Sequence, residues 1–384
     1  MANDLTAVIP QILAQGLMAL RKATVMPSLI NANYGRDAAS KGSTIDVPIP
    51  ASIAARAVAP ASVPVASPDI TPTSVSIALN KWYEAPFHLT DKDMMDAFEG
   101  TIPMQVSSAV KSLAEQVNSD IMALYADIYG FTGTPGTTPF ASTTAAATAA
   151  RKLLNNQLAP LDPRYFVVDP DAEANALGLS AFSDASFSGD ASAIRDGQIN
   201  RKLGFMFAMD QQVPSHTNGT LTDGTAHRAL VNGAPTLGDK TADFDATSLS
   251  GTVTAGSVFS VAGDDQTYVV TAAATASGNA ITLAFEPGVQ VVWADNAQMT
   301  LKGTASETYA NNLAFHRDAF AIASRPLADS ANGLGSIIQS AVDPVSGLSL
   351  RLEVSRQHKQ TNWSFDILYG VKTIRRELAA RVAG

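Results

Sequence analysis

The stretch LTDKDMMDAFEGTIPMQVSSAVKSLAEQVNSDIMALYADIYG, residues 89–130, decides the architecture of this chain because its second part predicts one long helix. Between Ile102 and Tyr129 the apolar residues recur every three or four positions, the spacing of a helix that buries one face. These residues are Val106, Val110, Leu113, Val117, Ile121, Leu124 and Ile128. At 1.5 Å per residue the helix would be roughly 40 Å long. Its single apolar stripe predicts a rod lying across a sheet, and we name it the spine helix.

The ends of the spine helix carry recognisable signals. Thr101 is the expected N-cap, and Pro103 falls in the first turn, where a missing N–H costs nothing. Gly130 is the expected left-handed stop. Upstream, Thr90 with Asp93 resembles a capping box and predicts a short helix before the spine helix.

The composition of the chain indicates a protein that hides much of its surface. With 384 residues the chain is too long for a single hydrophobic core, so two or more domains are expected. Charged residues make up 16%, against roughly 25% in ordinary soluble domains, while the hydrophobic share is 46%. Either the surface is unusually bland or much of it is covered by other subunits, and we favour the second interpretation. The 20 prolines and 26 glycines also predict many extended segments.

Charge and cysteine content exclude several classes of function. A net charge of −9 argues against tight nucleic-acid binding, which needs Lys and Arg to neutralise phosphates, but it permits a protein that only encloses a polyanion. Without cysteine there is no disulfide, thiolate metal site or cysteine nucleophile. No apolar run reaches the ~18 residues of a membrane span. The first residues have the wrong order for a signal peptide, which predicts a cytosolic product.

The N-terminal third reads as an arm followed by an extended loop. Residues 4–21 predict a short amphipathic helix. Thr44–Pro48 and Val75–Phe87 predict two strands, joined by a tract with regularly spaced prolines that must be extended or lie at a sheet edge. A long two-stranded arm is unstable alone in water, so we expect it to lie on a partner surface. The alternative interpretation of the tract is a disordered linker.

After the spine helix the pattern mixes helices and strands. Residues 144–157 predict an Ala-rich helix, and Tyr165–Val168 a strand. Asp169–Pro170 then begins another helix with Glu173 in its first turn. Residues 203–209 predict an apolar strand. Helical character is expected again at 305–310.

Residues 221–305 differ from their surroundings and predict a small antiparallel barrel or sandwich. Short β-type runs alternate there with Gly, Asp and Asn turns. Their alternating apolar positions could fill one core: Phe259, Val261, Tyr268, Val270, Ile281, Leu283, Val291 and Trp293. We expect an autonomous inserted domain with both ends close together. The alternative is a flexible, Thr/Ser-rich decoration loop.

Two alternating strands close the chain. Leu350, Leu352 and Val354 share one face of the first, opposite Arg351 and its neighbours. The second has the same alternation at Trp363, Phe365, Ile367 and Tyr369.

No combination of residues predicts catalysis, so we expect no catalytic, cofactor-binding or metal-binding residue and no cofactor. Nucleophile elbow, Walker, dinucleotide and zincin motifs are all absent. Five scattered histidines, His88, His216, His227, His316 and His358, lack metal-ligand spacing. His316–Arg317–Asp318 are consecutive and cannot converge, so a structural role is favoured. Asp243 with Asp245 is far weaker than a calcium loop. Lys81–Trp82–Tyr83 could meet a nucleic acid, although an aromatic strand packed under a helix is the commoner case.

The order of these parts resembles the major capsid protein of tailed double-stranded-DNA bacteriophages. Five stretches carry the resemblance: KWYEAPFHLTDKD, RYFVVDPDAEANAL, LGFMFAMDQQVPSHT, NLAFHRDAFAIASRPL and FDILYGVKTIRRELAARV. The chain is most similar to the podovirus-type coat protein with an inserted β domain.

The resemblance implies an α+β fold of the Hong Kong 97 type and a structural, non-enzymatic role. The implied segments are an N-terminal arm (1–41), an extended β loop (42–90), the spine helix and peripheral domain (91–160), an axial domain in two parts (161–220 and 306–349), the inserted β domain (221–305) and C-terminal strands of the peripheral and axial domains (350–384). The implied function is assembly, in the host cytoplasm, of hexamers and pentamers into an icosahedral virion shell. The implied partners are scaffolding and portal proteins, with double-stranded DNA enclosed but not specifically bound.

Two other classes remain open. An encapsulin-like compartment shares the fold but encloses cargo enzymes, and a secreted β-rich adhesin or hydrolase would explain the Thr/Ser/Gly stretches.

Some coats of this fold join a loop lysine to an asparagine of the next subunit. Residues 42–80 contain no lysine, so no such cross-link is expected here.

Overall fold

The computed structural model describes residues 25–33, 44–49, 72–92, 101–184, 195–327, 336–343 and 347–384, with the single positions 13, 16, 53, 55 and 57. Of the expected helix at 4–21 only Leu13 and Gly16 are described, and both are helical. Most of the proline tract and most of the short helix before residue 101 lie outside these residues, although Asp91 and Lys92 are helical. Two compact units are present. The first comprises residues 1–19, 32–113 and 321–374, and the second comprises 20–31, 114–320 and 375–384.

The described residues form a mixed α+β fold with short helices around one long one. The α-helices are α1 (Met26–Leu29), α2 (Thr101–Met122), α3 (Ala145–Asn156), α4 (Pro170–Gly178) and α5 (Ser180–Ser183). Short 3₁₀ helices occupy Ala123–Asp127, Arg317–Ala319 and Arg376–Leu378.

The strands of the described residues, in chain order, are β1 (Thr44–Ile49), β2 (Thr73–Ala78), β3 (Lys81–Thr90), β4 (Phe131–Gly133), β5 (Arg164–Val168), β6 (Arg201–Lys202), β7 (Phe205–Met209), β8 (Ser215–Thr217), β9 (Arg228–Asn232), β10 (Thr241–Asp245), β11 (Thr252–Val253), β12 (Val258–Val261), β13 (Thr267–Val270), β14 (Ala274–Thr275), β15 (Ala280–Glu286), β16 (Gln298–Leu301), β17 (Thr308–His316), β18 (Phe320–Ser324), β19 (Ser336–Val342), β20 (Ser349–Gln357), β21 (Gln360–Thr373) and β22 (Ala379–Ala383).

The spine helix α2 spans Thr101–Met122, so Thr101, the expected N-cap, lies within the helix, and α2 buries the predicted face. Six of the seven stripe residues are at most 3% exposed, and Leu124 is half-buried. The helix ends at Met122, earlier than expected, and continues as a 3₁₀ turn to Asp127. Its α-helical part is therefore about 33 Å long. The side chains of residues 101–103 lie outside the described set.

Gly130 is not the left-handed stop that the sequence predicts, since its φ is not positive. A Cβ at this position would lie 2.8 Å from a Leu153 methyl and 2.9 Å from the carbonyl oxygen of Ala379. The glycine is therefore required for the close approach of β22, and the helix has already ended eight residues earlier.

The first unit contains a five-stranded sheet, in which β19 with β20, β20 with β21, and β21 with β3 are antiparallel pairs. Strands β18, β21, β20 and β19 are neighbours in that order, and β3 also pairs with β21. The predicted alternation holds, because the apolar residues of β20 and β21 are buried while Arg351 and its neighbours on that face are not fully buried. Trp363 stacks on Phe87 with 6.2 Å between ring centroids. Strands β18 and β19 share this sheet with β20, so the sheet crosses the segment boundary expected at residue 349.

A two-stranded sheet, β1 with β2, completes the first unit. It pairs antiparallel from Thr44 opposite Ala78 to Ile49 opposite Thr73. One face packs its buried Val47 and Ile77 against the alanines of β18. The single strand expected at 75–87 is two strands, interrupted at Leu79 and Asn80, because β2 pairs with β1 whereas β3 pairs with β21.

The second unit contains a seven-stranded mixed sheet. Its order is β4, β22, β17, β5, β7, β6, and β8 pairs with β17 beside this path. β5 runs parallel to β7, and β22 runs parallel to β4, while the remaining pairs are antiparallel. The helix expected at 305–310 is instead the beginning of β17. The amide groups of residues 308–310 pair with β8, and this tertiary pairing overrides the weak local preference.

The same unit contains a closed antiparallel barrel with the strand order β10, β15, β13, β12, β16, β9. Its core holds five aromatic rings: Phe244, Phe259, Tyr268, Phe285 and Trp293. The alternating positions predicted from the sequence are buried in this core, except Val291, which is 48% exposed in the loop before β16.

Candidate functional site

The histidines are not brought together into a site. Among the described residues no group of three or more His, Cys, Asp or Glu side chains could hold a metal ion. His227 hydrogen-bonds the carbonyl oxygen of Leu221, at 2.6 Å, inside the barrel region. His88 lies on β3 opposite Asn362, and His358 lies in the turn between β20 and β21. In the part of the chain that the structure describes, no helix is both long and apolar enough to cross a membrane.

The consecutive residues His316, Arg317 and Asp318 each have a separate structural contact. The His316 Nδ1 accepts a hydrogen bond from the Asp318 backbone N–H and caps a 3₁₀ turn. Arg317 donates to the carbonyl oxygen of Ile30, and Asp318 accepts from Asn31. The His316 Nδ1 also lies 3.7 Å from a carboxylate oxygen of Asp318, so the three residues form one turn.

The two remaining candidate groups, the Asp243–Asp245 pair and Lys81–Trp82–Tyr83, also make structural contacts. The Asp243 carboxylate accepts a hydrogen bond from the hydroxyl of Thr282, its partner residue on the neighbouring strand β15. Trp82 is 62% exposed, so it does not pack under a helix as its sequence context suggests. Its indole N–H instead donates to Asp366 at 3.0 Å, and Asp366 also binds Arg351 through both carboxylate oxygens.

A buried arginine joins three elements of the second unit. Arg381 on β22 is fully buried. Its Nε donates to the carbonyl oxygen of Ile128 at 2.8 Å, just after the spine helix, and its Nη1 donates to the carbonyl oxygen of Gly256 at 2.7 Å, in the barrel. The guanidinium also lies 5.6 Å from the ring centroid of Tyr125. We name this cluster the arginine junction.

Burial dominates the electrostatics of the arginine junction. It lowers the pKa of Arg381 to about 10, because the charged form loses its hydration. Burial, with a contribution from the nearby Arg381 charge, lowers the pKa of His216 to about 4. The imidazole of His216 bonds the Tyr125 hydroxyl and the Ser257 hydroxyl, both at 3.2 Å. His216 is therefore a neutral link between the 3₁₀ turn and the barrel.

A second buried polar cluster fixes the middle of the spine helix. Asn118 is 2% exposed. Its Oδ1 accepts from the backbone N–H of Met26 at 3.0 Å. Its Nδ2 donates to Asp210 at 2.6 Å and to Gln212 at 2.9 Å. One side chain therefore connects the helix to α1 and to the segment after β7.

Exposed apolar side chains are the main feature of the surface, and they suit protein–protein contact better than chemistry. In the first unit they are Ile53, Trp82, Met104, Ile337 and Val342. In the second unit they are Leu158, Leu161, Met206, Met209, Leu237, Val291 and Val292. The most exposed of all, Leu158 at 88%, has a φ of +57°. That left-handed conformation costs a residue with a Cβ about 1–2 kcal/mol.

Two cavities lie in the second unit. One, of about 280 Å³, contains Glu173, whose pKa is raised by burial, and among the described residues that line it Glu173 is the only acid or base. The other is an open groove of about 390 Å³ between the loop after β4 and the first turns of α3. Ala, Thr, Ser, Pro, Phe and Gly line the groove, with no charged side chain. Sequence reasoning missed the groove because its residues carry no motif.

Residues 72–248 match the sequence model of a family described as phage capsid protein, a little under half of the chain. Comparison with curated proteins finds no match. The family match covers β2, β3, the spine helix, α3 to α5 and the first barrel strands.

Solved structures show the fold over nearly the whole chain. A chain of Mycobacterium phage Che8 is similar with 14% identity and a TM-score of 0.51, covering 94% of this chain and 90% of that one. A chain from the capsid of cyanophage P-SCSP1u is similar with 12% identity and a TM-score of 0.51, covering 94% of this chain and 87% of that one. The chain thus has a fold found in the capsid of a cyanophage.

Proposed function

We propose that this chain is the major capsid subunit of a tailed bacteriophage and assembles into an icosahedral shell that encloses double-stranded DNA. The observation that carries the proposal is the capsid-type fold over 94% of the chain, joined to a phage capsid family match over residues 72–248.

The surface supports assembly by burial of apolar area. Each unit exposes several large apolar side chains, although the charged fraction of the chain is only 16%. Contact between copies would remove these side chains from water, at roughly 25 cal/mol per Å² of apolar area. The net charge of −9 suits walls that do not bind DNA tightly. Scaffolding and portal proteins are the expected partners, and the host cytoplasm the expected place of assembly.

Within a Hong Kong 97-type shell we assign roles to the two units. The sheet β3 and β18–β21, with the spine helix, would form the peripheral part. The seven-stranded sheet would form the axial part near the centre of each capsomer. Strands β1 and β2 would be the base of the extended loop of residues 42–90, which would lie on a neighbouring subunit.

The barrel is proposed to be an inserted β domain of the podovirus type. Its two ends meet, since the amide of Asn218 donates to Glu307 and the amide of Ser306 donates to Gly219, at 2.9 and 3.0 Å. An insertion with adjacent ends lets the surrounding fold close as it would without it. Expression of residues 221–305 alone should give a dispersed proton–nitrogen NMR spectrum. Random-coil shifts would contradict an autonomous domain.

Negative-stain electron microscopy of the purified full-length chain tests the proposal, alone and after incubation with a lysate of infected cells. Closed shells that protect DNA from added nuclease support the phage coat. Shells that contain protein cargo and no DNA would favour an encapsulin-like compartment. Monomers at every concentration and salt would contradict both.

The shell should contain no covalent cross-link through the extended loop, because residues 42–80 contain no lysine. Arg56 cannot replace it as a nucleophile, since its guanidinium stays protonated at neutral pH. Boiled particles on a denaturing gel should run as a single band near the 40.0 kDa chain mass. A ladder of covalent multimers would overturn this expectation.

A further inference from the structure

Leu158 occupies a position where glycine would be favoured, yet it presents a large apolar side chain to water. It follows the end of α3, where its N–H donates to the Asn155 carbonyl oxygen. Helices commonly end in this way with a residue of positive φ, and glycine or asparagine adopts that conformation most easily. A strained leucine that is 88% exposed indicates that the side chain serves a contact outside the subunit.

The loop that carries Leu158 is rigidly built. Arg164, 2% exposed, lies beneath it. Its guanidinium donates to the carbonyl oxygens of Ala159 and Pro160, each at 2.7 Å, and to the side chain of Asn155 at 2.8 Å. A buried guanidinium whose donors bind the loop backbone holds that backbone in one conformation. Leu158, together with Leu161 at 66% exposure, forms what we name the leucine knob.

The uncharged groove described above begins at the other end of the same helix. Ser142 and Ala145 are exposed in it, and Ala146 and Ala149 line it. Ala149 is the groove residue nearest to the knob along α3, and it lies about 10 Å before the end of the helix at Asn156. The knob of a chain therefore cannot fill the groove of that chain.

We propose that the leucine knob of one copy docks into the α3 groove of a second copy. This contact rests on the proposed shell function and names a head-to-tail interface within it. The two surfaces match in chemistry, because the segment from Gln157 to Leu161 and the groove lining both lack charge. Knob and groove are different surfaces, so each copy donates a knob to one neighbour and accepts a knob from the other. Such heterologous contacts generate rings when the rotation closes.

The test uses two cysteines introduced into a full-length chain that has none of its own. Leu158→Cys and Ser142→Cys are combined, the purified protein is oxidised mildly with diamide, and products are separated on a non-reducing denaturing gel. A disulfide requires Cα atoms within about 7 Å, so it forms only where knob and groove meet. Each copy then links to two neighbours, and a ladder of oligomers is expected. The matched control pairs Ser142→Cys with Leu237→Cys, another exposed leucine (63%), and should give no ladder.

A second variant separates contact from folding. Leu158→Gly relieves the positive φ and removes the side chain, so the melting temperature of the subunit should not fall. The concentration needed for assembly should rise about tenfold to a hundredfold, the loss expected from one buried leucine. A merely structural leucine would instead lower the melting temperature and leave assembly unchanged.

The outcomes distinguish the two proposals. Particles without a ladder overturn the knob-in-groove contact and leave the shell function intact. A ladder from soluble rings that never form closed shells supports the contact but contradicts the proposed shell function. The absence of both particles and ladder overturns both, and an equal ladder from the Leu237→Cys control overturns the contact.

Discussion

Replacing Asn118 by Asp should destabilise the second unit strongly at neutral pH. The change keeps the shape of the side chain but turns the Nδ2 donor, 2.6 Å from an Asp210 carboxylate oxygen, into an acceptor with negative charge. Two unit charges about 4 Å apart repel by about 4 kcal/mol at an effective dielectric constant of 20. Two lost hydrogen bonds bring the total to roughly 5–7 kcal/mol. That is comparable with the whole unfolding free energy of many domains.

The pH dependence distinguishes repulsion from a simple loss of packing. A proton shared between the two carboxyl groups removes the repulsion and restores a donor, so the defect of Asn118→Asp should shrink at lower pH. Urea unfolding of the soluble full-length protein, followed by tryptophan fluorescence, is measured at about pH 7.5 and about pH 5. The difference in unfolding free energy between wild type and variant should be clearly smaller at the lower pH.

Ser119→Asp is the matched control for this experiment. It adds the same charge one residue further along the same helix, at an exposed position. Its effect should stay within about 0.5 kcal/mol, as for other surface substitutions. If Asn118→Asp and Ser119→Asp are equally stable, or if the Asn118→Asp defect does not depend on pH, the buried Asn118–Asp210 contact is wrong.

Three further predictions follow from buried positions. Val117→Asp should cost several kcal/mol and abolish soluble assembly, because Val117 is fully buried; wild-type assembly would show that the wrong helix face was assigned. Unfolding measured against pH should lose stability as the pH falls from about 6.5 to about 4, since unfolded His216 takes up a proton there that the folded state refuses; His216→Gln should flatten this window. Gly219→Ala should lower the melting temperature, because a Cβ there collides with the Thr252 carbonyl oxygen; an unchanged melting temperature would contradict the close approach.

The sequence predicted the spine helix well because its period is a local property of one segment. The end of the helix was not predictable in the same way. Arg381, more than 250 residues away, binds the Ile128 carbonyl oxygen and its own amide binds Gly130, so tertiary contacts determine where the helix stops. Glycine gives the same sequence signal when it ends a helix and when it permits a close approach. The error at Gly130 follows from that ambiguity.

The candidate sites also differ in how far the sequence predicts them. The lack of catalytic spacing is visible in the sequence, and the structure places His316 at the beginning of a 3₁₀ turn. The arginine junction and the leucine knob were not predictable, because a lone arginine and two loop leucines carry no pattern. Only their surroundings in the fold distinguish Arg381 and Leu158 from similar residues elsewhere. At Leu79–Asn80 too, the fold decides what the sequence does not show. The continuous β pattern divides there into two strands, because β2 pairs with β1 whereas β3 pairs with β21.

The way the barrel segment joins the rest of the second unit has a consequence for the evolution of this gene. Since both ends of the barrel segment meet at Asn218 and Ser306, one recombination event could add or remove the barrel without interrupting the β8–β17 pairing. Arg381 sets a condition on such an exchange, because its Nη1 depends on the Gly256 carbonyl oxygen inside the barrel. A lineage that loses the barrel leaves that charge buried without its acceptor. Relatives without a barrel should therefore have replaced the arginine as well, so that the two features are inherited together.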